Sequence, residues 1–202
     1  MNFDNNSAAE MFERVRRKAP EYLDLLTAAT ESEFETAFTP LLEKAVSHLE
    51  ANAKNFKSLN EVGLSGVLAA VLMIPGLTVT QESHSNGHVD LTIVVDHCTP
   101  ARKKLCEAKI YRSPSYHIEG VSQLLNRYTT GREGPGFIIS YVRKNDINGI
   151  TAKVRAAMDS KLPENQTGPC ENHELKWSFR SKHRHKSGEV LSLGHVGCNL
   201  KV

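Results

Sequence analysis

The fold turns on GHVDLTIVVDHCTPARKKLCEAKIYR, residues Gly87 to Arg112. Leu91, Ile93 and Val95 alternate with Thr92, Val94 and Asp96, the two-residue period of a half-buried strand. Thr99 and Pro100 signal a turn, and alternation resumes from Lys104 to Tyr111, so the stretch predicts a β-hairpin. Asp90 opens the first strand. Glu107 and Lys109 stand two apart on the second and therefore share a face. Two acids and a lysine on one side of a sheet are costly to desolvate unless they hold a metal or meet a phosphate. The competing explanation is a cross-strand ion pair on a solvated face.

The order Asp90, then 16 intervening residues, then Glu107-Ala108-Lys109, resembles the active-site signature of the PD-(D/E)XK superfamily, the restriction-endonuclease-like nucleases. Val89 stands where that signature often has proline. The resemblance covers roughly Glu61 to Val142. It implies a Mg²⁺ or Mn²⁺ site with Asp90, Glu107 and the main-chain carbonyl of Ala108 as ligands. Lys109 would orient or deprotonate the attacking water, or stabilise developing charge. In such nucleases a glutamate on the helix before the sheet often joins the metal. Glu61 has that place in the order, and Glu82 is a distant substitute. Glu61 is also the fourth residue of a capping-box pattern begun by Ser58, which explains it without a metal. The resemblance further implies that Gln123, on the following helix, faces the site. Gln123 to Tyr128, QLLNRY, is similar to the family's pattern, with a spacing to Tyr128 that is not the commonest. Arg127, one helical turn on from Gln123, is a candidate phosphate contact. An exposed polar helix face would explain the same residues.

The chain has 202 residues, 40% hydrophobic and 24% charged, which suits one soluble domain with a substantial core. The longest apolar run, Val67 to Ile74, is too short to span a bilayer, and the N-terminus has no signal pattern. A cytoplasmic protein is expected, with Cys98, Cys106, Cys170 and Cys198 reduced. The net charge of +2 hides an asymmetry. Residues 1–50 carry 5 basic and 10 acidic side chains, whereas residues 101–202 carry 18 and 9. A polyanionic partner, or merely a solvated surface, accounts for the basic half.

Helices are expected over Ala8–Lys18 and Glu21–Thr30, from a start at Thr39-Pro40 through Leu49, and over Val62–Ile74. Leu77–Gln81 is expected as a strand, Pro114–Tyr128 as a helix, Gly136–Val142 as a strand buried on both faces, and Ile147–Met158 as a helix. After a loop over Pro163–Asn172, Leu175–Phe179 and Val190–Val196 read as strands joined by a basic turn. The order predicts an α/β sandwich: a mixed central β-sheet with helices on both faces, restriction-endonuclease-like. The chain divides into an N-terminal helical extension (1–57), a catalytic core (58–160) and a C-terminal basic hairpin (161–202).

Lys176, Arg180, Lys182, His183, Arg184, His185 and Lys186 surround Trp177, a pattern that can follow a phosphate backbone and stack on a base, or decorate a turn beside a core tryptophan. Cys170 with His173, and His195 with Cys198, have spacings seen at zinc sites, although nine histidines make chance matches easy. His84 and His88 flank Asp90 as loop residues. The expected function is a Mg²⁺-dependent endonuclease acting on DNA rather than RNA, as in restriction or phage defence. A homodimer is expected, with a partner protein or activator as a further possibility. The alternative is a non-catalytic nucleic-acid-binding or assembly protein that retains the fold.

Overall fold

The computed structural model describes residues 7–84, 88–95 and 101–202. The Thr99-Pro100 turn, Cys98 and the side chains of Glu82, His84 and His88 lie outside what is described. Helix α1 (Ala8–Lys18) is capped by Ser7, and α2 (Pro20–Thr27) has Pro20 in its first turn. The long α3 (Glu31–Ala51) and then α4 (Glu61–Leu72) follow. The strands are β1 (Thr78–His84), β2 (His88–Val95), β3 (Arg102–Ile110) and β4 (Gly136–Val142). Between β3 and β4 run α5 (Pro114–Gln123) and a π-helical turn, Leu124–Tyr128. The chain ends with α6 (Ile147–Lys161), the short β5 (Glu171–Asn172), β6 (Ser178–Arg184) and β7 (Val190–Asn199).

All seven strands form one sheet in the order β1-β2-β3-β4-β7-β6-β5. β3, β4 and β7 run parallel to one another, and the other pairs are antiparallel. A parallel pair needs a crossover, and α5 with its π turn supplies the one from β3 to β4. Side chains of α3 and α4 pack with Leu91, Ile93, Cys106, Ala108, Phe137, Ile139 and Tyr141 on one face. Those of α5 and α6 pack with Leu105, Ile138, Val142, Phe179 and Leu193 on the other. Every residue of β4 is buried, as its unbroken apolar run requires. The expected mixed α/β sandwich is therefore the architecture.

Two local expectations are corrected. Thr39-Pro40 does not start a helix. Thr30 does: its hydroxyl accepts from Glu33 N–H at 3.2 Å, and the Glu33 carboxylate accepts from Thr30 N–H at 3.1 Å, a reciprocal cap. Pro40 sits inside α3, where a proline costs roughly 3 kcal/mol in an isolated helix. Burial of Phe34, Phe38, Leu41, Leu42 and Leu49 outweighs that cost. Thr39 Oγ1 instead donates to Glu35 O at 2.8 Å. The last antiparallel pair is also shifted. β6 begins at Ser178 because Trp177 adopts a left-handed backbone, φ 53°, that a strand cannot hold. The expected basic turn is thus largely strand.

Thr30→Val should lower stability by about 1 kcal/mol, because it removes the cap at constant shape. Thr39→Val should be close to neutral. Urea denaturation of both variants checks this, and the opposite ranking would return the helix start to Thr39.

Candidate active site

The register of β2 with β3 runs from Val95–Arg102 to Leu91–Cys106. Asp90 and Glu107, the next residues on the two strands, lie close enough for the Asp90 charge to act on Glu107. Beyond that point the amides of β3 turn to side chains. Ala108 N–H donates to Asp90 Oδ2 at 2.7 Å, and Ile110 N–H donates to Glu61 Oε2 at 2.6 Å. Glu61 reaches β3 because it is the first residue of α4, whose cap is Asn60, accepting from Gly63 N–H at 2.9 Å. The capping box begun by Ser58 is therefore not formed, and Glu61 belongs to the acidic cluster.

Glu107 and Lys109 project together from β3 on the α5 face. Lys109 Nζ lies 2.6 Å from Glu107 Oε1 and 3.8 Å from Glu61 Oε1. The helix backbone itself covers them: a Cβ on Gly120 of α5 would lie 3.4 Å from Lys109 Cγ and 3.5 Å from Glu107 Cγ. Glu107 is 2% exposed and Lys109 8%, so this is not an ion pair on a solvated sheet face. The Glu61 side chain remains 29% exposed and Asp90 half-buried, which leaves the cluster an opening to solvent.

Burial and the neighbouring charge of Asp90 push the Glu107 carboxyl up to about 7, against the stabilising pull of Lys109. Burial pulls Lys109 down, but its hydrogen bond to Glu107 and the surrounding carboxylates outweigh this and raise it. Three carboxylates thus face one ammonium. Among the described residues, Glu107 Oε2 and Gln123 Oε1 are buried side-chain oxygens without a hydrogen-bond partner. Gln123 closes α5, and the π turn follows directly. Thr129 N–H bonds Leu124 O at 3.1 Å, an i+5 pairing that widens the turn. Tyr128 closes this wider turn. Tyr128 is buried, and its phenol is raised by burial and by the charges of Glu107 and Asp90. Arg127, in the same turn, is exposed to solvent.

Two neighbours carried no sequence signal. Lys109 Nζ lies 5.8 Å from the Tyr116 ring centroid, and Arg112 stacks on the same ring at 4.7 Å. Ser140, the register partner of Lys109 on β4, starts a buried polar chain. His117 Nδ1 meets Ser140 Oγ at 2.8 Å, and His117 Nε2 meets His195 Nδ1 at 2.7 Å. Ser181 Oγ bridges His195 Nε2 and His183 Nε2, each at 2.7 Å, and His183 Nδ1 bonds Glu164 O at 3.1 Å. That carbonyl only accepts, so His183 Nδ1 carries the proton, and every donor upstream is then fixed. Ser140 donates to His117, His117 to His195, His195 to Ser181, and Ser181 to His183. The chain is neutral. Burial holds His117 at about 4, His195 well below its ordinary value and His183 lowered.

Several expected groupings do not form. His195 and Cys198 point to opposite faces of β7, His195 toward Phe179 and Cys198 into the α3 core. Cys170 receives the Gln166 amide at 3.7 Å, and His173 Nδ1 accepts from Leu175 N–H, so the zinc spacings do not converge. Arg180 and Lys182 are register partners of Gly194 and Ser192, on the α3 side of the sheet. Arg184 follows them in period two. These strand cations therefore sit behind the sheet from Glu107 and Lys109. Lys176 stacks over Trp177 at 4.5 Å, and Lys186 lies in the exposed β6–β7 turn.

Comparison with models of known protein families, with curated proteins and with solved structures gives no match. No helix among the described residues is long and apolar enough to cross a membrane. Nor, among the described residues, do three or more His, Cys, Asp or Glu side chains form a ready metal cage. What the site offers is a two-carboxylate set. Asp90 accepts from Ala108 N–H, Glu107 Oε1 pairs with Lys109, and Glu107 Oε2 is buried and unpartnered. That donor set fits a hard divalent cation which keeps most of its waters.

The raised Glu107 carboxyl sets a pH dependence. The unfolded chain loses this proton near 4.5 and the folded one near 7, so stability contributed by this group falls as pH rises through that window. In EDTA, wild-type protein should lose on the order of 3 kcal/mol between those limits, and Glu107→Gln should remove most of the slope. Urea unfolding at a series of pH values measures it; a slope unchanged in the variant would refute the assignment.

Proposed function

We propose that the protein is a metal-dependent nuclease of the restriction-endonuclease-like type, hydrolysing phosphodiester bonds in DNA more readily than RNA. The observation that carries this reading is the buried meeting of Asp90, Glu107 and Lys109 on one face, with more negative charge than Lys109 neutralises. The succession of α4, three antiparallel strands, α5 and the parallel β4 supports it. Asp90, Glu107 and the Ala108 carbonyl would hold Mg²⁺ or Mn²⁺. Bound there, the cation would acidify a water and offset phosphoryl charge. Lys109, held by Glu107 and Glu61, is placed to orient that water and to meet charge developing on the phosphate. The α5 backbone at Gly120 keeps bulk water from Glu107 and so strengthens each of these interactions. A homodimer would let both strands of a duplex be cut.

One observation favours a second reading. Asp90 and Glu61 already cap main-chain amides of β3, a structural task that needs no chemistry. A non-catalytic nucleic-acid-binding protein retaining the fold would keep them for that alone.

Incubation with plasmid, linear and single-stranded DNA and with RNA, in Mg²⁺, Mn²⁺ or EDTA, separates the two. We expect metal-dependent cleavage that falls by about 10²–10⁴-fold in Lys109→Met and is lost in Asp90→Asn. Asn at 90 keeps an oxygen for Ala108 N–H, so its fold should survive. Salt-sensitive binding without turnover on any of these substrates would favour the second reading, and undiminished cleavage by either variant would remove the first.

A further inference from the structure

The back of the sheet holds a cavity of about 350 Å³, between α3 and the β3-β4-β7-β6 surface. Its origin is local. α3 covers β3 and β4, but toward β6 the sheet presents Ser192 and Gly194, and nothing large fills the gap. A Cβ on Gly194 would meet only Phe137 Cβ at 3.4 Å and His173 Nε2 at 3.8 Å as side-chain neighbours. The inner wall is apolar, made by Phe38, Leu42, Phe137 and Val196. The remaining wall is cationic, with Lys104, Arg180 and Lys182.

These cations are not equivalent. Lys104 is 3% exposed, pairs with Glu35 and donates to the Pro135 carbonyl. Lys182 pairs with Glu171 at 2.6 Å. Arg180 has no hydrogen-bond or ion-pair partner among the described residues, yet it lies close enough to Lys104 to disfavour that residue's charge. His173, on the same wall, is neutral: burial, with Arg180 and Lys104 nearby, holds it at about 4. The cavity therefore has a hydrophobic floor of two aromatic rings, three cations against two carboxylates, and one guanidinium with its donors unspent. A planar fork of donors matches a phosphate or carboxylate. The volume is that of a small-molecule pocket.

We propose that this cavity binds a small organic anion: a flat apolar group against Phe38 and Phe137, with a phosphate or carboxylate held by Arg180 and assisted by Lys182. The site stands on the opposite face from Glu107 and Lys109, and it does not depend on that face cutting nucleic acid.

The test uses the full chain in EDTA, with calorimetry and amide NMR. The probes are adenosine 5′-monophosphate, indole-3-carboxylate, uncharged adenosine and inorganic phosphate. At least one of the two aromatic anions should bind more tightly than adenosine and than inorganic phosphate, shifting the Gly136 and Gly194 amides but not Gly120. Which of the two binds assigns phosphate or carboxylate. Arg180→Gln should weaken that binding by about tenfold or more, as loss of a charged hydrogen bond implies. Gly194→Val, which projects methyl groups into the space, should weaken it independently. Absence of binding by both aromatic anions at millimolar concentration, shifts centred on Gly120, or affinity unchanged in both variants would overturn the proposal.

Discussion

The molecule depends on how β3 parts from β2. An antiparallel ladder satisfies main-chain amides only while the strands stay together, and a buried amide without an acceptor costs about 1–3 kcal/mol. Past the Leu91–Cys106 pair, two amides of β3 find carboxylates instead, Ala108 with Asp90 and Ile110 with Glu61. The second of these bonds ties the start of α4 to the middle of the sheet. The fork thus draws two acids toward the strand that already carries Glu107. Whatever chemistry the cluster performs, its carboxylates are first held in position by backbone geometry.

Holding them there requires a rigid cover, and α5 supplies it. Gly120 lets the helix backbone approach Glu107 and Lys109 closely, and His117, one turn earlier, anchors the same helix face to β4 and β7. The serine–histidine chain runs in one direction because a single carbonyl, Glu164 O, fixes the last proton. A fully satisfied buried network of this kind specifies one arrangement and penalises any shift of α5 that would break it. The π turn at the end of α5 extends the same logic. One widened turn puts Tyr128 within reach of the charges of Glu107 and Asp90 and leaves Arg127 in water.

What could be read from the sequence was what short-range pattern decides. The hairpin, the buried β4 and most helices follow from periods of two and 3.6 residues, and the pairing of Glu107 with Lys109 follows from strand alternation alone. Thr39-Pro40 misled because local start signals compete with packing, and α3 buries enough apolar surface to carry a proline through its middle. Glu61 was legible as a candidate, but its partner, the Ile110 amide 49 positions away, is a tertiary fact. The face on which the basic strand lies was not legible. Arg180, Lys182 and Arg184 alternate with Phe179, Ser181 and His183, a period-two signal present in the sequence. Which face that alternation serves depends on the register of β6 against β7, which no local pattern encodes.

The register also divides the charge of the molecule. The C-terminal half carries the surplus of lysine and arginine, and β6 turns its cations toward α3. The ionisation of Glu107 is governed by burial, by Asp90, by Lys109 and by Glu61, all on its own side. The cationic wall behind the sheet therefore does not relieve the repulsion in front of it. On one side three carboxylates face one ammonium; on the other, Arg180 has no ion-pair partner among the described residues and lies near the buried Lys104. On the readings proposed above, the first site would take a cation and the second an anion, with one layer of sheet between them.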